Sequence, residues 1–194
     1  MDSTNWQDMT DFDLIKSCIP DNQHAFEALY HRYEKRVFRY LLTMVADAAL
    51  AEEILVEVML AVWKGLTTFQ GQSKVSTWIF GIAHHKAVDG LRKVTSQQRG
   101  SIPIENIAES PDPHDGPLEE TNKNRLAELT NQAMLNLSSD HREILHLTFH
   151  EGQSYPEISE LLGIPVNTVK TRVYYAKQQM KKTLQHQGVT EDIL

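Results

Sequence analysis

A chain of 194 residues with 41% apolar and 23% charged residues has room for one medium domain or two small ones with real cores. Its formal net charge is −7, so any basic segment stands out against an acidic background. The single cysteine, Cys18, excludes an internal disulfide and a cysteine-based zinc site, and no apolar run approaches the roughly 18–20 residues of a bilayer span.

The first segment, MDSTNWQDMTDFD, is acidic and polar, unlike a secretory signal or a transit peptide, and a cytoplasmic protein is expected. Residues 11–93 then carry dense helical periodicity. Phe26, Leu29, Tyr30, Tyr33 and Val37 recur at steps of three and four, as do Ala51, Ile54, Leu55, Val58 and Val62, and then Trp78, Ile79, Ile82 and Ala83. Gly65 and the polar stretch TTFQGQSK separate the last two of these helices. Asp47, Glu52, Glu53 and Glu57 make the start of the middle helix acidic, with no basic residue between them.

Composition shifts over 94–120, which holds Pro103, Pro111, Pro113 and Pro117. Over 97–120 a single arginine, Arg99, stands against Glu105, Glu109, Asp112, Asp115, Glu119 and Glu120. A stretch so charged and so poor in apolar residues cannot bury enough surface to fold alone. The expectation is all-α: two small helical domains, 1–93 and 125–194, joined by an acidic flexible linker over 94–124.

In the second domain Ser138 suits an N-cap for a helix through Arg142, Ile144, Leu145 and Leu147, and Gly152 its stop. Ser154 and Glu157 form a capping-box pattern with Pro156 in the first turn. Ile158, Leu161 and Leu162 face inward, and Gly163 allows a sharp turn. Val166, Val169, Val173, Ala176 and Met180 then make one apolar stripe. This is a helix–turn–helix pattern. Its second helix carries Lys170, Arg172, Lys177, Lys181 and Lys182 with no acid among them. A basic helix on an acidic chain points to a polyanion, and the layout points to duplex DNA. The outward face offers Asn167, Thr168, Lys170, Thr171, Arg172, Tyr175 and Lys177. Short polar groups approach base edges while cations neutralise phosphates.

His146 and His150 are one helical turn apart, the spacing of a two-histidine metal pair. No HExxH glutamate and no third ligand accompany them, so no metal or cofactor is expected. With no glycine-rich phosphate loop and no Ser/His/Asp layout, an enzyme is not expected either. The pattern alone leaves open a stand-alone helix–turn–helix regulator.

AFEALYHRY (25–33), AEEILVEVMLAVWKG (51–65), STWIFGIAHHKAVDGLRK (76–93), LSSDHREILHL (137–147) and YPEISELLGIPVNTVKTRVYYAKQQMKKTL (155–184) together resemble sigma factors of the extracytoplasmic-function class, over nearly the whole length. The resemblance implies a bacterial transcription initiation subunit whose partners are core RNA polymerase, promoter DNA and an anti-sigma factor. It implies that the first domain is region 2 and the second region 4, reading the −35 element with the basic helix. It further implies polymerase docking by Glu52, Glu53, Ile54, Val56, Glu57 and Met59. Recognition and melting of the −10 element would fall to Ser73, Lys74, Ser76, Thr77, Trp78, His84, His85, Lys86, Asp89, Arg92 and Lys93. Trp78, lying on an apolar stripe, suits the core as well as a base stack.

The chain departs from the family pattern in three places. Leu50-Ala51-Glu52-Glu53 stands for the usual Asp-Ala-Glu-Asp, with Val56 in place of a following Gln. Ala83-His84-His85 stands for Ala-Arg-Asn, and Asn167 occupies a position where Gly is common.

Overall fold

The computed structural model describes residues 6–19, 22–98 and 118–189, and among them every regular element is helical. Eight helices follow in order: α1 Asp11–Cys18, α2 Gln23–Val45, α3 Ala48–Gly65, α4 Val75–Gln98, α5 Leu118–Leu135, α6 Ser139–Leu145, α7 Tyr155–Leu162 and α8 Val166–His186. They fall into two compact units, one built on α1–α4 and the other mainly on α5–α8. Helix extends into both ends of the stretch read as a linker, since α4 reaches Gln98 and α5 starts at Leu118. The rest of that stretch, 99–117, lies outside the described residues. No helix among the described residues is long and apolar enough to cross a membrane.

The first unit is assembled by caps and a shared core. Asn22 accepts from the amides of His24 and Ala25 at the start of α2, and Asp47 accepts from the amide of Leu50 at the start of α3. Between α2 and α3 the chain turns at Ala46, which closes α2 in the left-handed region with φ 52° and donates to the carbonyl of Leu42. Leu29, Tyr33, Val37, Tyr40 and Leu41 of α2 are fully buried, as are Val58 and Val62 of α3 and Ile79, Phe80 and Ala83 of α4. The rings of Tyr40 and Phe80 meet edge to face at 5.3 Å. Close approach of α3 and α4 needs Gly90, where an added Cβ would stand 2.8 Å from Cδ1 of Ile54.

α1 is strapped to α2. Arg32 donates to the Asp11 carboxylate at 2.6 Å and to the carbonyls of Met9 and Gln7 at 2.9 and 3.0 Å, while the Tyr33 hydroxyl donates to the other Asp11 oxygen. Burial and the adjacent Asp11 carboxylate push the Tyr33 phenol far above its ordinary range. α1 ends in Cys18, 3% exposed, whose thiol burial pushes from 9.0 up to about 11. The folded state therefore keeps this thiol neutral, and the associated stability is complete below pH 9 and lost between about pH 9 and 11. The expected outcome is that a thiol reagent leaves Cys18 essentially unlabelled at pH 8 in the native protein and labels it at once in urea. Fast native labelling at pH 8 would show that α1 does not stay docked.

In the second unit Ser138 caps α6 by accepting from the amide of His141. After Leu145 the helix widens into a π turn over His146–His150, with the Glu151 amide reaching the carbonyl of His146 at 3.1 Å, and Gly152 ends it at φ 63°. His146 is buried in this turn, its Nε2 3.5 Å from the Glu151 carboxylate and its ring 5.0 Å from that of His150. The capping box forms as the sequence indicates: the Ser154 amide donates to Glu157 at 2.7 Å, and the Glu157 amide faces the Ser154 hydroxyl at 3.5 Å. Gly163 at φ 64° and a bond from the Ser159 hydroxyl to the Ile164 carbonyl shape the turn into α8. Val169, Val173 and Ala176 of α8 pack into the core with Ile144, Leu147 and Ile158. Farther along, Leu184 joins Ala133 of α5 and Val189 in a second small cluster, against which Met180 packs.

Candidate nucleic-acid interface

α8 turns through about 100° per residue, so its buried stripe fixes the rest of its circumference. Opposite Val169, Val173 and Ala176 lie Asn167, Thr171, Tyr174, Tyr175 and Gln178, all exposed, both tyrosines to 58%, with Lys182 farther along. Lys170, Lys177 and Lys181 form one flank, and Arg172 lies on the other. The contacts agree with this division. Lys177 sits over the ring of Phe149 at 4.6 Å from its centroid, and Arg172 reaches Asp140 in the first turn of α6 at 2.9 Å. The Thr171 hydroxyl donates to the carbonyl of Asn167. Thr168 is half-buried. Polar and aromatic groups at the centre with cations on both edges match what a major groove offers: base edges in the middle and a phosphate strand on each side. Tyr174, Gln178 and the Arg172 partner Asp140 were not indicated by the sequence pattern. Tyr174 and Gln178 follow from the period once the buried stripe is fixed, whereas Asp140 had no local signal.

The first unit presents a different surface. On α3, Glu52 and Glu53 are exposed, but Ile54 and Met59 are 3% and 6% exposed because they pack into the unit's own core. They offer no apolar contact outward, which corrects the expectation placed on them. Val56 and Leu60, exposed to 58% and 53%, are the large apolar side chains this face turns outward. Glu57 is also committed within the chain, since Lys86 of α4 donates to it at 2.9 Å and Lys93 stands 3.9 Å away. The bond from Lys86 holds the Glu57 carboxyl below its usual range. Its stabilising effect is present above the ordinary carboxylate value near 4.5 and is lost as pH falls below it. Because the pair is well exposed, Glu57→Gln should cost under about 1 kcal/mol at pH 7 and less at pH 3. Equal losses at both pH values would show that packing, and not the charge, is what the substitution removed.

The residues expected at a −10 site divide as well. An open cleft of about 530 Å³ lies between the start of α1 and the loop before α4, lined by Thr10, Asp11, Phe12, Gly71, Ser73, Lys74, Val75 and Ser76. Ser73, Lys74 and Ser76 are among the residues that line it, while the residues at the start of α1 had no signal in the sequence. Gly71 stands there at φ 69°, a backbone conformation that favours glycine, with the Phe12 ring 2.9 Å from where a Cβ would lie. Thr77 is buried at 4% and is absent from the lining, so it does not form the cleft wall. Trp78 packs on Phe69 with ring centroids 4.8 Å apart and close over Gly65, serving the core. Along α4, the Tyr40 hydroxyl lies 3.5 Å from Nδ1 of His84, and exposed His85 donates from Nδ1 to the carbonyl of Gly81 at 2.7 Å. Lys86 and Lys93 face Glu57, and Arg92 lies 3.5 Å from Asp89.

The comparisons with known proteins agree with this layout. The family model for Sigma-70 region 2 matches residues 29–97, and that for Sigma-70 region 4 matches residues 128–180. The extracytoplasmic-function sigma factor SigL of Mycobacterium tuberculosis is 30% identical over 168 residues, covering 84% of this chain and 90% of SigL. The sigma factor YlaC of Bacillus subtilis is 26% identical, covering 84% of this chain and 94% of YlaC. Among solved structures, the sigma factor RpoE in complex with the anti-sigma factor NepR from Bartonella quintana superposes with a TM-score of 0.68. It shares 22% identity and covers 82% of this chain and 96% of RpoE. CnrH in complex with the cytosolic domain of CnrY gives 0.63 at 19% identity, covering 91% of this chain and 97% of CnrH. With both sigma-70 regions present in order and a relative of this similarity matched along nearly its full length, the chain belongs to the extracytoplasmic-function sigma factors of the sigma-70 family.

Proposed function

We propose that the chain directs core RNA polymerase to specific promoters, with α8 reading −35 duplex and the first unit holding polymerase and the melted −10 strand. The observation that carries this reading is the match to both sigma-70 regions within one chain. A stand-alone regulator needs only the helix–turn–helix. In this reading residues 1–93 form the docking and −10 module, 125–194 form the −35 module, and 94–124 tether them. Glu52 and Glu53, with Val56 and Leu60 beside them, would face a basic, partly apolar surface of polymerase. The cleft at Ser73, Lys74 and Ser76 suits an unstacked base. Lys86, Arg92 and Lys93 suit the strand leading to it, once DNA or polymerase competes for their carboxylate partners. An anti-sigma factor is a further expected partner, since RpoE of Bartonella quintana was solved with one. The site of action is the cytoplasm, where polymerase is.

The test is transcription from purified parts. Core polymerase plus this chain should start RNA at a defined promoter, and core alone should not. A chain that yields no promoter-specific transcript with core, yet alone protects a palindromic duplex, would instead be the stand-alone regulator.

A further inference from the structure

We propose that Asp140 is a positioning residue for DNA recognition, acting through Arg172. The inference rests on the reading of α8 as a promoter reader. Asp140 lies in the first turn of α6, and its Oδ2 is 2.9 Å from an Nη of Arg172 on the flank of α8. The two side chains are 56% and 31% exposed. A pair this exposed adds little to stability, so its consequence lies in where it holds the guanidinium. An arginine on a helix flank is otherwise free to swing through many rotamers, and fixing it beforehand removes that ordering cost from binding. One amino group is taken by Asp140, and the planar fork keeps its remaining N–H groups in a set direction for a phosphate oxygen.

The carboxylate has a second effect. It stands beside Arg172, the cation on this flank in the first two turns of α8, and a phosphate approaching Arg172 from the Asp140 side meets it as a like charge. Misaligned complexes are thereby penalised, while the aligned one uses an arginine already in place. Asp140 thus favours specific over general DNA binding. Among the described residues no acid is paired with Lys170 or Lys177, and Lys177 is steadied by the neutral ring of Phe149.

The test uses holoenzyme made from core polymerase and the full chain. The probes are a duplex selected by the wild-type holoenzyme from a randomised upstream pool and a shuffled duplex of the same composition. Asp140→Ala should raise affinity for the shuffled duplex severalfold and lower the ratio of selected to shuffled affinity by about five- to tenfold. Asp140→Glu should restore part of that ratio. In an Arg172→Ala background, Asp140→Ala should leave the ratio unchanged. An acid that served only to stabilise the start of α6 would lower the melting temperature and move both affinities together. If Asp140→Ala does not fold, the isosteric Asp140→Asn takes its place in the same cycle. An unaltered ratio in a folded Asp140 variant overturns the inference, as does an equal fall in the Arg172→Ala background. If the wild-type holoenzyme selects no sequence at all, it is the underlying promoter-recognition reading that fails.

Discussion

Reversing Glu52 and Glu53 to lysine together lowers affinity for core polymerase by at least about tenfold and leaves the fold intact. Both side chains are exposed on α3. The acid nearest to them along the same helix, Glu57, is occupied by Lys86 and Lys93, so Glu52 and Glu53 carry the outward negative charge of this face. Complementary charges at an interface act chiefly on the encounter rate and on register, and each close pair is worth on the order of 1.5 kcal/mol or more. Two reversals replace attraction by repulsion, so the loss should be largest at low salt and shrink as salt rises. Stability should change by no more than about 1 kcal/mol, because both residues lie beyond the first turn of α3, where the effect of the helix dipole fades. Binding to labelled core at two salt concentrations, with thermal unfolding as control, decides it. Unaltered core affinity would mean that these acids are a solvated face and that docking lies elsewhere. Leu60→Asp supplies the companion measurement, because Leu60, 53% exposed, stands on the same side of α3 as the two acids.

The helices and their ends could be read from the sequence because their determinants are local. The Ser154–Glu157 box, the Ser138 cap, the glycines at 152 and 163 and the stripe through Val169, Val173 and Ala176 all act within a few residues. Features that join distant residues were not readable. Arg32 ties α1 to α2 across 21 residues, and Lys86 reaches Glu57 across 29. Each of these charges resembles any other surface charge until the fold brings its partner near. α3 shows a subtler failure. Ile54, Leu55, Val56, Val58, Met59, Leu60 and Val62 are apolar nearly all round the helix, so periodicity cannot say which of them the core takes. The core takes Ile54, Val58, Met59 and Val62, and Val56 and Leu60 are left outside. The π turn at 146–150 had no sequence sign, because the choice between four- and five-residue hydrogen bonding is settled by packing. α4 and α5 overrun the expected tether for another reason: Gln, Ser, Glu and Lys form helix acceptably without an apolar stripe, so these turns carry no periodic mark in the sequence.

Lys170→Ala with Lys177→Ala should weaken promoter binding by the holoenzyme at least about tenfold without changing which sequence is preferred. Tyr175→Ala or Asn167→Ala should change the preference. The argument is the geometry of α8. Both lysines lie on the edge of the outer face, where a helix in the major groove meets phosphates, and a phosphate contact carries no sequence information. Each lost contact releases about one counterion fewer, so the slope of log affinity against log salt should flatten by about 0.9 per lysine. Asn167 and Tyr175 lie on the outward face, where a helix seated in a major groove would meet base edges, and a lost base contact should cost about 1–3 kcal/mol against the preferred base and far less against others. The 58% exposure of Tyr175 on a folded helix is consistent with a ring kept for a partner. Selection from a randomised duplex pool, repeated at three salt concentrations, separates the two classes. A double lysine variant that selects a new sequence would place Lys170 or Lys177 at a base edge, and the helix would then have to enter the groove rotated toward that flank. A Tyr175 variant that loses affinity uniformly, with an unchanged selected sequence, would count against the central face as the reader in the same way.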